Sequence, residues 1–447
     1  MMNVMVVGGG AREHAIVWKL AQSPKVSKIY CVPGNAGICS VRAVECIKLP
    51  VTDFEGLARF AIENDVDLTV IGPETPLIGG IVDVFDAKGL RLFGPSREPA
   101  QIEGSKTYAK ELMRKYRIPT AEFTSVTDFR EAVDYARNYF HTRPGKKLVV
   151  KADGEAAGKG VIVCSEFFEV ENALSRIMID REFGASGDRV ILEEGLEGFE
   201  VSLMAFTDGV TVIPMLPVQD HKRLLNNDRG PNTGGMGCYC PVPFVTESLI
   251  ARVTESVLKP AVAAIKSTGI PYKGILYAGL MVQEDGSFQV LEFNARFGDP
   301  ETQVVLPLLE TDLADIFIGV TEARLHEVEV EWRPGVSVGV VMASAGYPGS
   351  YDNGYVIEGL GPVSHLSDVE LFQAGTERRD DGEIVTKGGR VLTVTGVGTD
   401  FPQARARAYA GVRALSFDGA QYRTDIGYQA ELYEANKLNS QKADDPA

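Results

Sequence analysis

The chain has 447 residues, of which 45% are hydrophobic and 24% charged, and at roughly 150 residues per domain this length predicts about three domains. The net charge of −16 argues against a nucleic-acid surface, because neutralising phosphates requires a basic patch. No segment reads as a membrane span and the start "MMNVMVVGGG" lacks a charged leader, so we expect a cytoplasmic protein without membrane partners.

Residues 1–104 alternate strand-like and helix-like segments. The apolar run "MNVMVV" ends in three glycines, and "AREHAIVWKLAQS" follows with apolar residues at helical spacing. Further strand-like runs, "KIYCV" and "DLTVIG", enclose another helical segment. This alternation predicts a Rossmann-like parallel α/β domain.

The glycine turn of "GGGAREH" permits two interpretations. A dinucleotide fingerprint needs a third glycine, but Glu13 stands at that place after Gly8 and Gly10, so a nicotinamide cofactor is not expected. What remains is either a helix N-terminus whose free N–H groups bind an anion beside Arg12, or a tight turn without a ligand.

Residues 105–325 mix helices and strands, including a strand pair separated by "EDGS", which is a hairpin signal. This mixture predicts an α+β domain that holds a ligand between layers. Residues 326–432 contain short strand-like runs with one helix near 401–416, and predict a small β-rich C-terminal domain. The polar residues 433–447 predict a frayed tail.

The stretch "KADGEAAGKG", residues 151–160, joins two strand-like segments. It is not a Walker sequence, because Gly160 stands where a magnesium-binding Ser or Thr belongs. The loop either closes over phosphates with its backbone amides, helped by Lys151 and Lys159, or is an exposed hairpin without a ligand.

The stretch "VLEFNARFGDPETQ" places polar groups directly after an apolar strand. Side chains alternate along a strand, so Glu292 and Asn294 share one face and offer hard oxygen ligands for magnesium. Arg296, Asp299 and Glu301 follow immediately, and ordinary alternation does not explain that cluster.

The connector "ILEEGLEGFEVS" also lies between strand-like runs. Its backbone can present groups to an adenine edge, and Glu200 can accept hydrogen bonds from ribose hydroxyls. Taken alone it is only an acidic connector.

The six cysteines show no repeated CxxC spacing, and a chain of this size does not need covalent cross-links. We therefore expect free thiols rather than disulfides or a zinc site.

Four signals follow one another along the chain: a lysine at a helix start, the glycine loop, the acidic connector and "LEFNARFGDPE". Their order resembles that of the ATP-grasp superfamily. That resemblance implies a two-layer clamp for Mg-ATP and a ligation that passes through an acyl phosphate. Several longer motifs are similar to those of members that join glycine to 5-phosphoribosylamine in purine biosynthesis. They are "VVGGGAREHA", "PGNAG", "GPETPL", "FGPS", "GPNTGGMG" and "NARFGDPETQ". Such members imply a monomer that uses ATP and Mg²⁺ or Mn²⁺.

The resemblance also implies roles for particular residues, with a mobile lid at about 120–195. It implies that the phosphates are bound by Lys106, Lys151 and the loop that contains Gly154, Gly158, Lys159 and Gly160. Adenine is implied to contact the main chain of Glu193, Glu194 and Leu196. Ribose is implied to contact Glu200, and the metal to be bound by Glu292 and Asn294. Arg296 is implied to stabilise the developing charge, Asp220 or Asp299 to orient the amine, and Gly10, Arg12, Asn35 and Gly37 to hold the phosphoribosyl group.

Two positions depart from the family pattern. Glu155 replaces a usually apolar residue, and we expect it to point to solvent or to pair with a cation. "LNND" replaces a variant rich in glycine or glutamate. Gly279 stands thirteen residues before Glu292, where related clamps often have a carboxylate, so a second metal would need another ligand.

Three alternatives stay open at this point. A carboxylase subunit or a formate-using purine enzyme would share the clamp, a non-catalytic nucleotide-binding regulator would share the fold, and a dehydrogenase would need the dinucleotide site that the glycine turn lacks.

Overall fold

The computed structural model describes residues 1–154 and 160–444, and these form a mixed α/β architecture in three parts. The sequence-based prediction for Glu155 and the phosphate roles of Gly158 and Lys159 lie outside the described residues.

The N-terminal part is a five-stranded parallel sheet in the order β3-β2-β1-β4-β5. Its central strand β1 is buried along most of its length because helices cover both faces of the sheet. This confirms the Rossmann-like prediction. The elements are β1 (Met2–Gly8), α1 (Ala11–Leu20), β2 (Val26–Pro33), β3 (Val44–Cys46), α2 (Phe54–Glu63), β4 (Leu68–Ile71), α3 (Glu74–Gly79), α4 (Ile81–Asp86), β5 (Leu92–Phe93) and α5 (Arg97–Gly104).

The middle part contains two four-stranded antiparallel sheets that face each other across a cleft, in the orders β6-β9-β7-β8 and β11-β10-β16-β17. The first half comprises α6 (Lys106–Tyr116), β6 (Phe123–Val126), α7 (Phe129–Thr142), β7 (Leu148–Ala152), β8 (Val161–Cys164), α8 (Phe167–Leu174) and β9 (Val190–Glu194). The second half comprises β10 (Phe199–Thr207), β11 (Val212–Pro214), β12 (Gln219–Asp220), β13 (Arg223–Leu225), β14 (Arg229–Asn232), β15 (Gly237–Cys240), α9 (Glu247–Val253), α10 (Lys259–Lys266), β16 (Gly274–Val282), β17 (Phe288–Asn294), α11 (Thr302–Val305) and α12 (Leu313–Thr321). The antiparallel pairing of β16 with β17 through "EDGS" confirms the predicted hairpin, and Gly286 supplies the positive φ at its turn.

The C-terminal part contributes β18 (Val336–Ala343), α13 (Leu360–Val363), β19 (Val369–Gln373), β20 (Thr376–Arg378), β21 (Ile384–Thr386), β22 (Arg390–Gly398), α14 (Phe401–Ala414) and α15 (Tyr428–Asp444). Its main sheet has the order β12-β15-β18-β22-β19, so two of its strands come from the middle of the chain. The pairing of Gly237 with Val340 joins residues about a hundred positions apart, so no local pattern in the sequence marks this segment as part of the C-terminal sheet. This crossover carries Asp220 to the boundary between the middle and C-terminal parts.

Two sequence-based predictions were wrong. Cys39 and Cys46 form a disulfide, because the chain turns back through a short 3-10 helix and brings their Cα atoms to 5.6 Å, while the other four cysteines are free and buried. The supposed frayed tail is helical as far as Asp444, since its alanine, glutamate, leucine and lysine residues favour a helix.

A search of the described helices finds none that is long and apolar enough to cross a membrane.

Gly396 allows α14 to lie directly against β22, since a Cβ there would sit 2.2 Å from Ala404 O and 2.4 Å from Ala408 N. We predict that Gly396→Ala lowers the free energy of unfolding by about 1–3 kcal/mol through overpacking. Gly361→Ala in α13 is the matched control, because its added methyl group meets nothing within 4 Å. Equilibrium denaturation measures both variants, and equal stability would show that the helix shifts freely.

Candidate active site

A cavity of about 1120 Å³ lies between the two middle sheets and is also lined by residues of the other two parts of the molecule. Most of the sequence-predicted residues line it. They are Arg12, Lys106, Lys151, Gly154, Gly160, Glu193, Glu194, Leu196, Glu200, Asp220, Glu292, Asn294, Arg296 and Asp299. The fold therefore gathers residues spread over almost three hundred positions into one site.

The start of the glycine loop is tied to the start of α6. Lys106 Nζ donates to Gly154 O at 2.8 Å, and Asp153 accepts from Thr107 N at 3.1 Å. Burial lowers the pKa of Lys106 from its ordinary value. An ammonium group at the point where the loop begins is suited to an anionic ligand.

Glu193 has a buried side chain with two lysine partners. Lys110 Nζ lies 2.7 Å and Lys151 Nζ 3.0 Å from Glu193 Oε2, and Lys151 also donates to Leu291 O at 3.2 Å. This carboxylate compensates two cations that would otherwise repel each other in a buried place. Lys110, which also lines the cavity, was missed by the sequence analysis because it is an ordinary helical lysine in its local pattern.

The backbone of the acidic connector is partly used by the sheet. Glu194 N donates to Glu122 O at 3.0 Å and Gly195 N to Lys147 O at 2.8 Å. These two amides are therefore engaged, and the connector leaves the sheet just before Leu196, which lines the cavity.

Glu292 and Asn294 lie together at the end of β17, opposite Gly279 and Tyr277 of β16. A register shift beside them leaves Leu291 without a partner, so Val290 stays in the core while Glu292 and Asn294 line the cavity. Gly279 makes room for Glu292, since a Cβ at that position would lie 3.3 Å from Glu292 Cγ.

The charge on Glu292 is maintained by its neighbours. Burial opposes ionisation, but Lys222, Lys151, Lys106 and Arg296 together hold the pKa of Glu292 below its ordinary value. The site thus presents an ionised carboxylate beside an amide oxygen.

Arg296 connects the middle part with the N-terminal part. It lies 3.0 Å from Glu103 Oε1 and 3.4 Å from Glu74 Oε2, and it donates to Asn294 Oδ1 at 3.1 Å. Glu103 also accepts from Ala295 N at 2.7 Å. Burial raises the pKa of Glu103 to about 7, although Arg296 opposes the shift. The two glutamates fix the guanidinium and the end of β17. Glu74 belongs to the "GPETPL" motif, for which no residue role was predicted, and no quoted motif contains Glu103.

Asp299 is paired with Arg390, which begins β22. Their side chains lie 3.0 Å apart, and Gln303 Nε2 donates to Asp299 Oδ1 at 2.7 Å. Burial opposes ionisation, but Arg390 and Arg12 hold the pKa of Asp299 below its ordinary value. Asp299 is therefore an ionised carboxylate between two arginines.

Asp220 has the opposite character. Its Oδ1 has no hydrogen-bond partner among the described residues, and burial together with Glu301 raises its pKa well above the ordinary value. Glu301 accepts hydrogen bonds from Ser202 Oγ and Tyr277 Oη, both at 2.9 Å. Asp220 and Glu301 together can hold a proton or bind an amine.

At the glycine turn, an amide of the helix N-terminus is already engaged by a side chain of the protein itself. Glu13 accepts from Gly10 N at 2.6 Å and from Arg12 Nε at 2.7 Å, so a carboxylate of the chain itself occupies the helix N-terminus. A bound anion would have to compete with Glu13 there, and the predicted substrate contacts of Gly10 and Arg12 stay predictions. Arg12 lines the cavity, whereas Gly10 is outside the part of its lining that the structure describes.

Asn35 and Gly37 serve a contact between the N-terminal and C-terminal parts. Asn35 Nδ2 donates to Gly9 O at 2.9 Å and to Gln373 O at 2.6 Å, and a Cβ on Gly37 would clash with His14 and Gln373. Neither residue belongs to the described lining of this cavity, and their predicted substrate contacts stay a prediction. The "PGNAG" motif takes part in packing between two parts of the molecule, and the sequence alone does not distinguish such a packing role from a role in substrate binding.

The described residues contain no group of three or more His, Cys, Asp or Glu side chains arranged to hold a metal ion. Glu292 and Asn294 nevertheless fit a magnesium-type ion, which commonly takes one or two protein oxygens and completes its shell with water and phosphate.

Three family models match successive segments of the chain. They describe the N domain of phosphoribosylglycinamide synthetase over residues 2–103, its ATP-grasp domain over residues 104–302 and its C domain over residues 337–429.

Relatives and solved structures match over nearly the whole length. A phosphoribosylamine–glycine ligase of Nostoc is 48% identical over 96% of this chain and 99% of its own length, and one of Vibrio parahaemolyticus is 44% identical over 98% and 100%. The crystal structure of such a ligase from Thermotoga maritima has a TM-score of 0.78 at 32% identity, covering 95% of this chain and 99% of that one. Biotin carboxylase from Campylobacter jejuni has a TM-score of 0.72 at 15% identity over 95% and 94%, a likeness of fold alone.

The raised pKa of Glu103 makes stability depend on pH. The folded chain binds this proton up to about pH 7, whereas an unfolded glutamate releases it near its ordinary value of 4.5. Stability contributed at this position is therefore lost as pH rises through that window. We predict that the melting temperature of Glu103→Gln, relative to the unsubstituted protein, increases between pH 5 and pH 8.

Glu98→Gln on the exposed face of the same helix is the control for that measurement. A difference between Glu103→Gln and the unsubstituted protein that stays constant with pH would contradict the assignment.

Proposed function

This chain belongs to the phosphoribosylglycinamide synthetase family of ATP-grasp ligases, and we propose that it joins glycine to 5-phosphoribosylamine, giving glycinamide ribonucleotide, ADP and phosphate. One observation carries the assignment of the site: Lys106, Lys151, Glu292, Asn294 and Arg296 line a single cavity between two sheets. We propose a cytoplasmic monomer.

ATP is proposed to lie between the two middle sheets. Lys106 and Lys151 face its phosphates, the backbone from Glu193 to Leu196 faces adenine, and Glu200 accepts from the ribose hydroxyls. The amides of Glu194 and Gly195 already donate within the sheet. Adenine therefore forms hydrogen bonds with carbonyl oxygens of the connector and with Leu196 N.

Glu292 and Asn294 would hold Mg²⁺ or Mn²⁺, which when bound neutralises phosphate charge during transfer. Lys222, Lys151 and Lys106 keep Glu292 ionised and so available as a ligand. A second ion would have to find its ligands elsewhere than at Gly279.

The reaction requires activation because a carboxylate is a poor electrophile. A glycine carboxylate oxygen attacks the γ-phosphorus of ATP and releases ADP, giving glycyl phosphate. The amine of phosphoribosylamine then attacks the carbonyl carbon, loses a proton and expels phosphate. Arg296, fixed by Glu74 and Glu103, stabilises negative charge on the acyl phosphate and the tetrahedral intermediate.

The amine substrates are assigned to carboxyl groups of the cavity near the C-terminal part. Asp220, whose raised pKa suits the exchange of a proton, orients an amine together with Glu301, and Asp299 is the second choice. The phosphoribosyl group is assigned to the region of Arg12 and Arg390, which flank Asp299.

We predict that ATP releases phosphate only when glycine and phosphoribosylamine are both present, and that Glu292→Ala abolishes this release because the metal loses its carboxylate. A coupled phosphate assay over glycine, formate and bicarbonate measures it and separates the rival ligases. The control is Glu284→Ala, which alters an exposed glutamate at the opposite end of the same hairpin. Release with bicarbonate in place of glycine would overturn the substrate assignment, and ATP binding without turnover would favour a regulator.

We predict that Arg296→Lys lowers kcat about 10²-fold to 10³-fold, because a lysine cannot contact both glutamates and the developing charge at once. Calorimetry with a non-hydrolysable ATP analogue should give a dissociation constant within about threefold of the unsubstituted protein, if Arg296 acts mainly on the transition state. An equal loss of affinity and rate would instead assign Arg296 to ground-state binding.

A further inference from the structure

The hairpin formed by β13 and β14 stands apart from the larger sheets. It is a separate two-stranded sheet, and most of its residues are exposed. An isolated two-stranded hairpin is only marginally stable in water. Its position must therefore be set by contacts at its two ends.

The base of the hairpin lies at the active-site cavity. Lys222 Nζ is 3.0 Å from Glu200 Oε2, and Thr233 N donates to Lys222 O at 2.7 Å to close the base. Lys222 thus pairs with the residue assigned to ribose, and its charge also helps to keep the ligand carboxylate Glu292 ionised.

The tip of the hairpin is held by the C-terminal part. Asn226 Nδ2 donates to Thr424 Oγ1 at 2.7 Å, Thr424 N donates to Asn226 Oδ1 at 3.0 Å, and Asn227 N donates to Asp425 Oδ2 at 2.8 Å. The backbones of Asn227 and Asp228 have φ values of 58° and 50°, which asparagine and aspartate tolerate best among non-glycine residues. We call the contact of residues 226–228 with residues 423–425 the clasp.

A buried arginine anchors the clasp. Arg423 is 1% exposed and donates from Nε and Nη2 to the two oxygens of Asp425, at 2.8 and 2.7 Å. Its remaining nitrogen, Nη1, donates to Asp228 Oδ1 at 2.7 Å and to Arg223 O at 3.1 Å. One rigid guanidinium therefore forms hydrogen bonds with both the turn and the first strand of the hairpin.

We propose that the clasp is a positioning device through which the C-terminal part sets the place of Lys222 over the ATP site. The inference rests on the proposed function only in assigning ATP to the cavity. It also gives the "LNND" sequence a role, since these residues supply the turn and its contacts.

The test uses mild changes at partly or fully exposed positions so that folding is preserved. Asn226→Ala removes both side-chain hydrogen bonds to Thr424, Thr424→Val removes one of them, and Thr424→Ser retains the hydroxyl group. Asn138→Ala, on an exposed position of α7, is the matched control.

Limited trypsin digestion of the full chain should cut after Arg229, an exposed hairpin residue, several-fold faster in Asn226→Ala than in the control. The KM for ATP should rise about three- to tenfold, the equivalent of one or two hydrogen bonds, while the KM for glycine and the melting temperature stay unchanged. Thr424→Val should show a smaller effect, and Thr424→Ser should restore the ATP KM.

Faster cleavage with an unchanged ATP KM would overturn the proposal, because the clasp would then only stabilise the hairpin. Unchanged cleavage would overturn it as well. If the protein showed no glycine-dependent turnover, the proposed function would fail, and the dissociation constant of a non-hydrolysable ATP analogue would replace KM as the readout of the clasp.

Discussion

The structure depends on keeping many charges close together inside one cavity and on compensating them there. Removing an ion from water is costly unless an opposite charge or hydrogen bonds replace the water. Glu193 meets this requirement for Lys110 and Lys151, and Glu74 and Glu103 meet it for Arg296. The same compensation fixes the side chains in place, which is the condition for transferring a phosphoryl group by positioning and charge stabilisation.

Each pair also connects parts of the chain that are distant in sequence. Glu103 ends the N-terminal part and holds Arg296 after β17, and Arg390 of the C-terminal part holds Asp299. The strands β12 and β15 cross into the C-terminal sheet and carry Asp220 with them. The C-terminal part therefore completes the site and is more than an appended domain.

The electrostatic surroundings give similar carboxyl groups different properties. Glu292 lies among lysines and stays ionised, whereas Asp220 lies near Glu301 and favours its protonated form. Such a division suits a site that must hold a cation in one place and exchange a proton with an amine in another. Glu13 shows the same principle in a structural setting, since it satisfies the helix N-terminus that a ligand would otherwise occupy.

Elements whose signals are local can be predicted from the sequence: the alternation of the N-terminal strands and helices, the β16–β17 hairpin, and the polar cluster after "VLEF". The family can also be recognised from the sequence, because its long motifs occur in this chain in a fixed order. The residues that those motifs contact are known from the tertiary structure. It showed Asn35 and Gly37 in a domain contact, brought Cys39 to Cys46, and gathered Glu103, Lys110 and Arg390 around the site. The physical reason is that burial, pairing and charge compensation are properties of residues that meet in space, and a local pattern contains no record of which residues will meet.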